Sequence, residues 1–225
     1  MELKQIAYIK TSFPDKFGVP RQSGLVKGLR GKIIFLPEFR TPDALRGIEG
    51  YSHLWLIWGF SESHKSEWSA TVAPPRLGGK KRMGVFATRS PYRPNPIGLS
   101  SVELESVEVD EKLGTVLNVR GIDMIDNTPI YDIKPYLAYA DSHPDARGGF
   151  ANEVLEHHLK VEIPENVEKL IDENERDNII GLLSEDPRSA YIHDEERVWG
   201  IYYGGKNIRF RVVGDLLTVT DIEDM

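Results

Sequence analysis

SSVELESVEVD at residues 100–110, then GTVLNVRGID at residues 114–123, are two alternating runs separated by Glu111, Lys112 and Leu113. Alternation at period two, broken by a short polar connection, reads as a β-hairpin. Working outward, residues 3–10 alternate loosely, and residues 31–36 form a short strand. YSHLWLIWGF at 51–60 is apolar enough for a buried strand, and His53 within it reads as a satisfied core histidine, with no partner at metal-ligand spacing. TPDALRGIEG at 41–50 reads as a brief helix, with Thr41 as N-cap and Pro42 at its first position. MGVFATRS at 83–90 reads as another buried strand. Six or seven strands with almost no helix predict a mainly β fold, a closed or nearly closed β-barrel.

Residues 141–149 read as a linker, and ANEVLEHHLKVEIP at 151–164 contains a further strand. Residues 164–184 carry Val167, Leu170, Ile171, Ile179, Leu182 and Leu183 mainly on one side, as a helix would. Asp186-Pro187-Arg188 ends it. VWGIYYGG, NIRFRVVG and LLTVT then read as three short strands turned by glycines. The expected division is a β-barrel over residues 1–145 and a small α+β unit over residues 146–225.

The 225 residues include no cysteine, which excludes a disulfide framework and a thiolate zinc site, and suits a reducing cytoplasm. MELKQIAYIKT has no apolar core of the kind a signal peptide needs, and LWLIWGF is too short to span a bilayer. Net charge is −7, unevenly placed: residues 1–150 hold 20 Lys and Arg against 17 Asp and Glu, whereas residues 151–225 hold 8 against 18. An all-round nucleic-acid coat is excluded, but a basic patch on the first part is not. GLRGK at 28–32 is too short for a phosphate-binding loop, GIEG is not a dinucleotide fingerprint, and no βαβ alternation appears. His157 and His158 are adjacent, so on a helix they point apart, and neither HExxH nor GxSxG occurs. No metal site is predicted.

The chemistry concentrates in PPRLGGKKRMGVFATRSPYRPNPIGLSSV, residues 74–102. It has no carboxylate, although the chain is acidic, and it carries Arg76, Lys80, Lys81, Arg82, Arg89 and Arg93. Glycines and prolines punctuate it, giving a stiff loop of defined shape. Solvated charge is the bland reading; stiffness, length and missing acids favour a site for an anion.

These residues also resemble a known family. PPRLGG at 74–79, RMGVFATRS at 82–90 and RPNPIG at 93–98 are similar to the signature of the TsaA-like, or TrmO, family of tRNA methyltransferases. Ala73 stands where that family often has arginine. VPRQSGL at 19–25 is similar to its VPRQPGL, with Ser23 for proline, and DNTPIYDIKPY at 126–136 to its DGTPxxDIKPY, with Asn127 for glycine. Ser61 and Glu62 stand where it commonly shows His-Gln, and DPRSAY at 186–191 departs from DPRPxY at Ser189.

The resemblance implies S-adenosylmethionine as methyl donor and the 6-amino nitrogen of threonylcarbamoyladenosine, at position 37 of tRNA, as acceptor. It further implies a homodimer with the pocket near the interface. By the same analogy the donor meets Gln22, Ser23, Gly24, Ser61, Glu62, Arg89, Ser101 and the turn Asp126, Asn127, Thr128, Pro129. Arg76, Lys80, Lys81, Arg82 and Arg93 would meet tRNA phosphates. The acceptor nitrogen must lose a proton; Asp126 and Asp132 are candidate bases, with Lys134 or Tyr136 tuning them, and the base is left unassigned. The bland reading of the turn is that Asp126 and Thr128 bind their own backbone. Without the resemblance, a nonenzymatic RNA-binding barrel and an interaction protein both stand as alternatives.

Overall fold

The structure, a computed structural model, describes residues 2–62, 67–77, 81–154, 158–188 and 194–225, with the side chains at 76, 153 and 154 excepted. Its strands and helices in chain order are β1 (Ala7–Thr11), β2 (Arg30–Phe35), β3 (His53–Gly59), β4 (Thr71–Val72), β5 (Met83–Gly84), β6 (Ile97–Asp110), β7 (Gly114–Arg120), β8 (Thr128–Pro135), α1 (Ala138–Asp141), β9 (Lys160–Glu162), α2 (Glu165–Glu168), α3 (Arg176–Ser184), β10 (Trp199–Tyr203), β11 (Lys206–Val213) and β12 (Leu216–Asp224). Six strands close into an antiparallel barrel in the order β1-β2-β7-β6-β3-β8, with β8 pairing back to β1. Closure removes the sheet edges that an open β-sheet leaves unpaired.

The predicted hairpin is β6 and β7, turned through Asp110, whose carboxylate accepts from the amides of Lys112 and Leu113 at 2.8 Å each. A register shift between Leu104 and Ser106 breaks the simple alternation of β6. Such a bulge bends the strand, as closure requires. Ile9, Ile33, Leu54, Leu56, Val102, Leu117, Val119 and Ile130 point inward from the six strands and are fully buried. The interior is tight: a Cβ on Gly31 of β2 would lie 2.7 Å from the Ile9 Cδ1.

β10, β11, β12 and β9 form a second sheet, in which β9 joins β12 in parallel. Ile179, Leu182 and Leu183 of α3 are buried in the same apolar cluster as Ile208, Phe210 and Leu217 of this sheet and the barrel residues. Phe13 meets Tyr203 at 5.2 Å between ring centroids, and the Gly204 amide donates to the Ser12 carbonyl. The mainly β architecture with a small α+β part is as read from the sequence.

Four local readings are corrected. MGVFATRS is not a core strand: Met83–Gly84 pair with Thr71–Val72 in a two-stranded flap, and Val85–Ala87 form a 3₁₀ turn. The barrel is already filled by six strands, and the Thr88 hydroxyl closes this turn on the Val85 carbonyl at 2.9 Å. Phe86 is thereby left 73% exposed. The predicted helix at 41–50 is two 3₁₀ turns separated by Gly47 at φ +88°. The predicted helix at 164–184 is α2 and α3, parted where Asp172 turns the chain by accepting from the Asn174 amide. His53 is exposed on the outer face of β3, with its ring 6.1 Å from that of Tyr136.

Candidate functional site

β3 leaves the barrel at Gly59, beside the points where β6 begins at Ile97 and β8 begins at Thr128. At this end lies a cavity of about 590 Å³. Cavities of this size accommodate a nucleoside-sized ligand. The 19–22 loop, the β3 exit, the 89–93 turn, the start of β6 and residues 123–125 contribute its walls.

Trp58, the last inward side chain of β3, forms one wall. Its ring packs on Phe60 at 4.4 Å, and it lies so close over Gly98 that a Cβ there would be 2.5 Å from its Cδ2. Trp58 Nε1 donates to Ser100 Oγ at 2.9 Å, and Ser100 Oγ donates to Asp123 Oδ1 at 2.6 Å. Asp123 is partly accessible because one side opens on the cavity, while protein encloses the rest. Burial pushes its carboxyl up to about 6, against hydrogen bonds from Ser100 and the Ser23 amide and the charge of Arg89, all of which favour the ionised form. On another wall the Arg89 guanidinium donates to the Gln22 side-chain oxygen, and Gln22 in turn donates to the Arg21 carbonyl.

Of the donor-site residues predicted from sequence, Gln22, Ser61, Glu62, Arg89 and Thr128 line this cavity. Ser23 reaches it through its amide on Asp123, and the Gly24 amide ties the same loop to the Gly121 carbonyl. Ser101 does not reach it. The alternation of β6 turns Ser100 inward and pairs Ser101 with Trp55, whose Nε1 donates outside the barrel to Asp141 at 2.8 Å. Asp126 is also spent elsewhere: it accepts from the Thr11 amide at 3.0 Å, from Asn127 Nδ2 at 2.9 Å and from Lys10 Nζ at 2.6 Å. Asn127 sits at φ +61° and Thr128 Oγ1 donates to the Ile125 carbonyl, so the bland reading holds for Thr128, whereas Asp126 reaches across to β1 and staples it to the start of β8. Asn127 and Pro129 do not line the cavity.

Asp132, Lys134 and Tyr136 lie away from the cavity as well. A bulge at Ile57/Trp58 turns Asp132 and Lys134 to the outer face, opposite Ile57 and Trp55, and they pair with each other at 3.0 Å. Tyr136 packs against Trp55 there.

Lys80 and the side chain of Arg76 lie outside the described residues. Lys81 is exposed on the flap, and Arg82 is fastened to it by bonds to Thr71 Oγ1 at 2.8 Å and the Thr71 carbonyl at 2.7 Å. Arg93 is placed in the cavity wall instead of on the flap. Trp68, 52% exposed, stacks with Phe86 beside the flap at 6.2 Å.

Trp58, Ser100 and Asp123 are the residues sequence reasoning missed. Each sits inside a run read as strand, and the contacts between them span 42 and 23 residues of chain. The one available signal is an acid, Asp123, closing the alternating run GTVLNVRGI.

Comparison with known proteins supplies a family. Residues 8–142 match the tRNA-methyltransferase O N-terminal domain, and residues 156–225 match the TrmO C-terminal domain. The chain is 41% identical over 219 residues to the Escherichia coli tRNA (adenine(37)-N6)-methyltransferase, covering 94% of this chain and 93% of that one. It is 37% identical over 147 residues to a probable S-adenosyl-L-methionine-binding protein of Pyrococcus abyssi, covering 65% of this chain and 74% of the relative. The crystal structure of TrmO from P. aeruginosa superposes with a TM-score of 0.81 at 33% identity, over 100% of this chain and 97% of that one.

Proposed function

The chain belongs to the tRNA-methyltransferase O family, and on that premise we propose that it methylates the 6-amino nitrogen of adenosine 37 in tRNA with S-adenosylmethionine, and that this adenosine already carries a threonylcarbamoyl group. The observation that carries the reading is the cavity at the β3 exit, which joins an indole wall, an anchored guanidinium and an acid. When bound, S-adenosylmethionine supplies a methyl group on a positively charged sulfur.

The residues present fit such a donor. Arg89, steadied by Gln22, offers a charged hydrogen bond to a carboxylate. Trp58 and Phe60 offer flat aromatic surface to an adenine. Gln22, Arg89 and Arg93 line the cavity where they can hold the reactants in place, which is most of what a methyl transfer asks of a protein. Beside the cavity, Lys81 and Arg82 with the stacked Trp68 and Phe86 make a surface suited to phosphates and an unstacked base of a single-stranded loop.

The threonylcarbamoyl requirement follows from chemistry. An adenine amine is a poor nucleophile because its lone pair is spread into the ring. An attached carbonyl makes its proton easier to remove, and the group adds a carboxylate and a hydroxyl for the arginines to receive. A site built for such groups rejects an analogue lacking them by as much as about 10⁴-fold. The test is incubation with donor and one tRNA prepared with and without the group, read by nucleoside mass spectrometry. Methylation is expected on the modified tRNA alone; equal transfer to bare adenosine refutes the substrate assignment. A folded protein that binds tRNA but neither S-adenosylmethionine nor its demethylated product would return the nonenzymatic RNA-binding barrel.

Donor binding is assigned to residues 1–145, and residues 146–225 form the accessory α+β part. Two copies are proposed to pair through the outer face of β3, β6 and β8, where Leu99 is 52% exposed and Trp55 and Tyr136 add aromatic surface. Light scattering of the purified protein tests this, a monomeric mass refuting it. We propose a cytoplasmic location, the compartment in which a tRNA substrate would be met.

A further inference from the structure

Methyl transfer to the 6-amino nitrogen requires that nitrogen to lose a proton, and the two acids suggested by sequence are committed elsewhere, Asp126 to Lys10 and Asp132 to Lys134. We propose that Asp123 is the proton acceptor, held in place by a hydrogen-bonded line running from the Trp58 indole through the Ser100 hydroxyl to its carboxylate. This rests on the methyltransferase reading above and adds to it the residue that the reading lacks.

The direction of the line is decided by chemistry. An indole Nε1 only donates, so the Ser100 oxygen must accept there. The single Ser100 proton is therefore directed at Asp123, at 2.6 Å. The Ser23 amide donates to the same carboxylate. An ionised carboxylate has about four acceptor positions, so capacity remains on its cavity side for a proton from a ligand. Lys16, Arg21, Arg89 and Arg93 line the cavity as cations, and Glu62 is the other acid among its described lining residues. Glu62 is exposed, whereas Asp123 is enclosed on the protein side and fixed in orientation by the line.

In the reaction, the proton on the 6-amino nitrogen passes to a carboxylate oxygen of Asp123. The electron pair left on nitrogen forms the new N–CH₃ bond as the carbon–sulfur bond breaks and its electrons return to sulfur. The proton then leaves Asp123 for water. A carboxyl raised to about 6 is mostly ionised near neutral pH, yet is a stronger base than an ordinary aspartate.

The test is single-turnover methyl transfer to threonylcarbamoylated tRNA at saturating donor, over about pH 5 to 9. Wild type should lose rate as pH falls through about 6. Asp123→Asn keeps the acceptor for Ser100 and should lower the plateau by about 100-fold or more, abolish that limb and leave donor affinity by calorimetry within about threefold. Ser100→Ala removes a bond that favours the ionised carboxylate, so the limb should move to higher pH; this variant carries the test if Asp123→Asn does not fold. A readout free of donor and tRNA is carboxyl-¹³C NMR of the ligand-free protein, in which a resonance titrating near 6 should vanish in Asp123→Asn. Transfer by Asp123→Asn within about threefold of wild type overturns the proposal. So does weakened donor binding with a normal rate at saturation, which would make Asp123 a donor ligand, or a limb unmoved by Ser100→Ala. Wild-type protein that neither binds donor nor methylates tRNA refutes instead the methyltransferase reading on which the proposal rests.

Discussion

Replacing Gly98 by alanine drives a methyl group into the indole of Trp58. The new Cβ would sit 2.5 Å from the Trp58 Cδ2 and closer still to Cε2 and Cζ2. Relaxed carbon–carbon contacts lie near 3.5–4.0 Å, so the ring must retreat by about 1 Å or more. Phe60 packs on it at 4.4 Å and the ring is 7% exposed, so it has little room to do so. Overpacking of this kind costs about 1–3 kcal/mol. Retreat also stretches the 2.9 Å bond from Nε1 to Ser100, and a buried donor left unpaired costs about 1–3 kcal/mol more. A destabilisation of about 3 kcal/mol is expected. For a chain of this length that corresponds to about 6–12 °C in Tm. Urea unfolding followed by tryptophan fluorescence measures it as a lowered midpoint at unchanged slope. Gly50→Ala is the control: a Cβ there meets nothing within 4 Å, and the change should stay within about 0.5 kcal/mol. A Gly98→Ala variant as stable as the Gly50→Ala control would refute the packing of Trp58 described above, and with it the rigid line to Asp123.

Arg89→Ala should weaken donor binding by about 1–3 kcal/mol in calorimetry, the loss of one charged hydrogen bond, while the unfolding midpoint hardly changes, since Arg89 is exposed. Lys81→Ala should lower the slope of log K for tRNA against log salt by about one unit or less without altering donor affinity; an unchanged slope makes Lys81 ordinary solvated charge. Asp126→Ala should lower stability by about 1–3 kcal/mol, because the Thr11 amide and Asn127 lose their acceptor, and a 100-fold loss of transfer rate in the folded variant would contradict its structural role. Asp123→Asn should raise stability more at about pH 8 than at about pH 4. The folded carboxyl holds its proton up to about 6, above its ordinary value of 3.8, so its unfavourable contribution grows as pH rises between these values. Equal gains at both pH values would mean that Asp123 is not raised.

Local patterns carry local consequences, and those were legible in the chain. The alternation in 100–110 and 114–123 dictates a hairpin because side chains of a strand face opposite sides in turn. Of the residues the sequence offered for the donor, Gln22, Ser61, Glu62, Arg89 and Thr128 were found in the wall of one cavity. The apolar run MGVFATRS was misread because hydrophobicity says that a segment seeks cover, not that the sheet has a place for it; with six strands closed, the place was gone.

What sequence alone determined, then, is the type of surface each segment presents, because propensity, turn chemistry and charge act over a few residues. What tertiary structure decided is which surfaces meet. A one-residue step along β6 separates Ser100, inside with Trp58 and Asp123, from Ser101, outside beside Trp55. A bulge at Ile57/Trp58 sends Asp132 and Lys134 outward although their neighbours Ile130 and Thr128 are buried. Barrel closure joins Trp58, Ser100 and Asp123 across 42 and 23 residues of chain, and that closure is a property of six pairings at once, which no window of sequence contains.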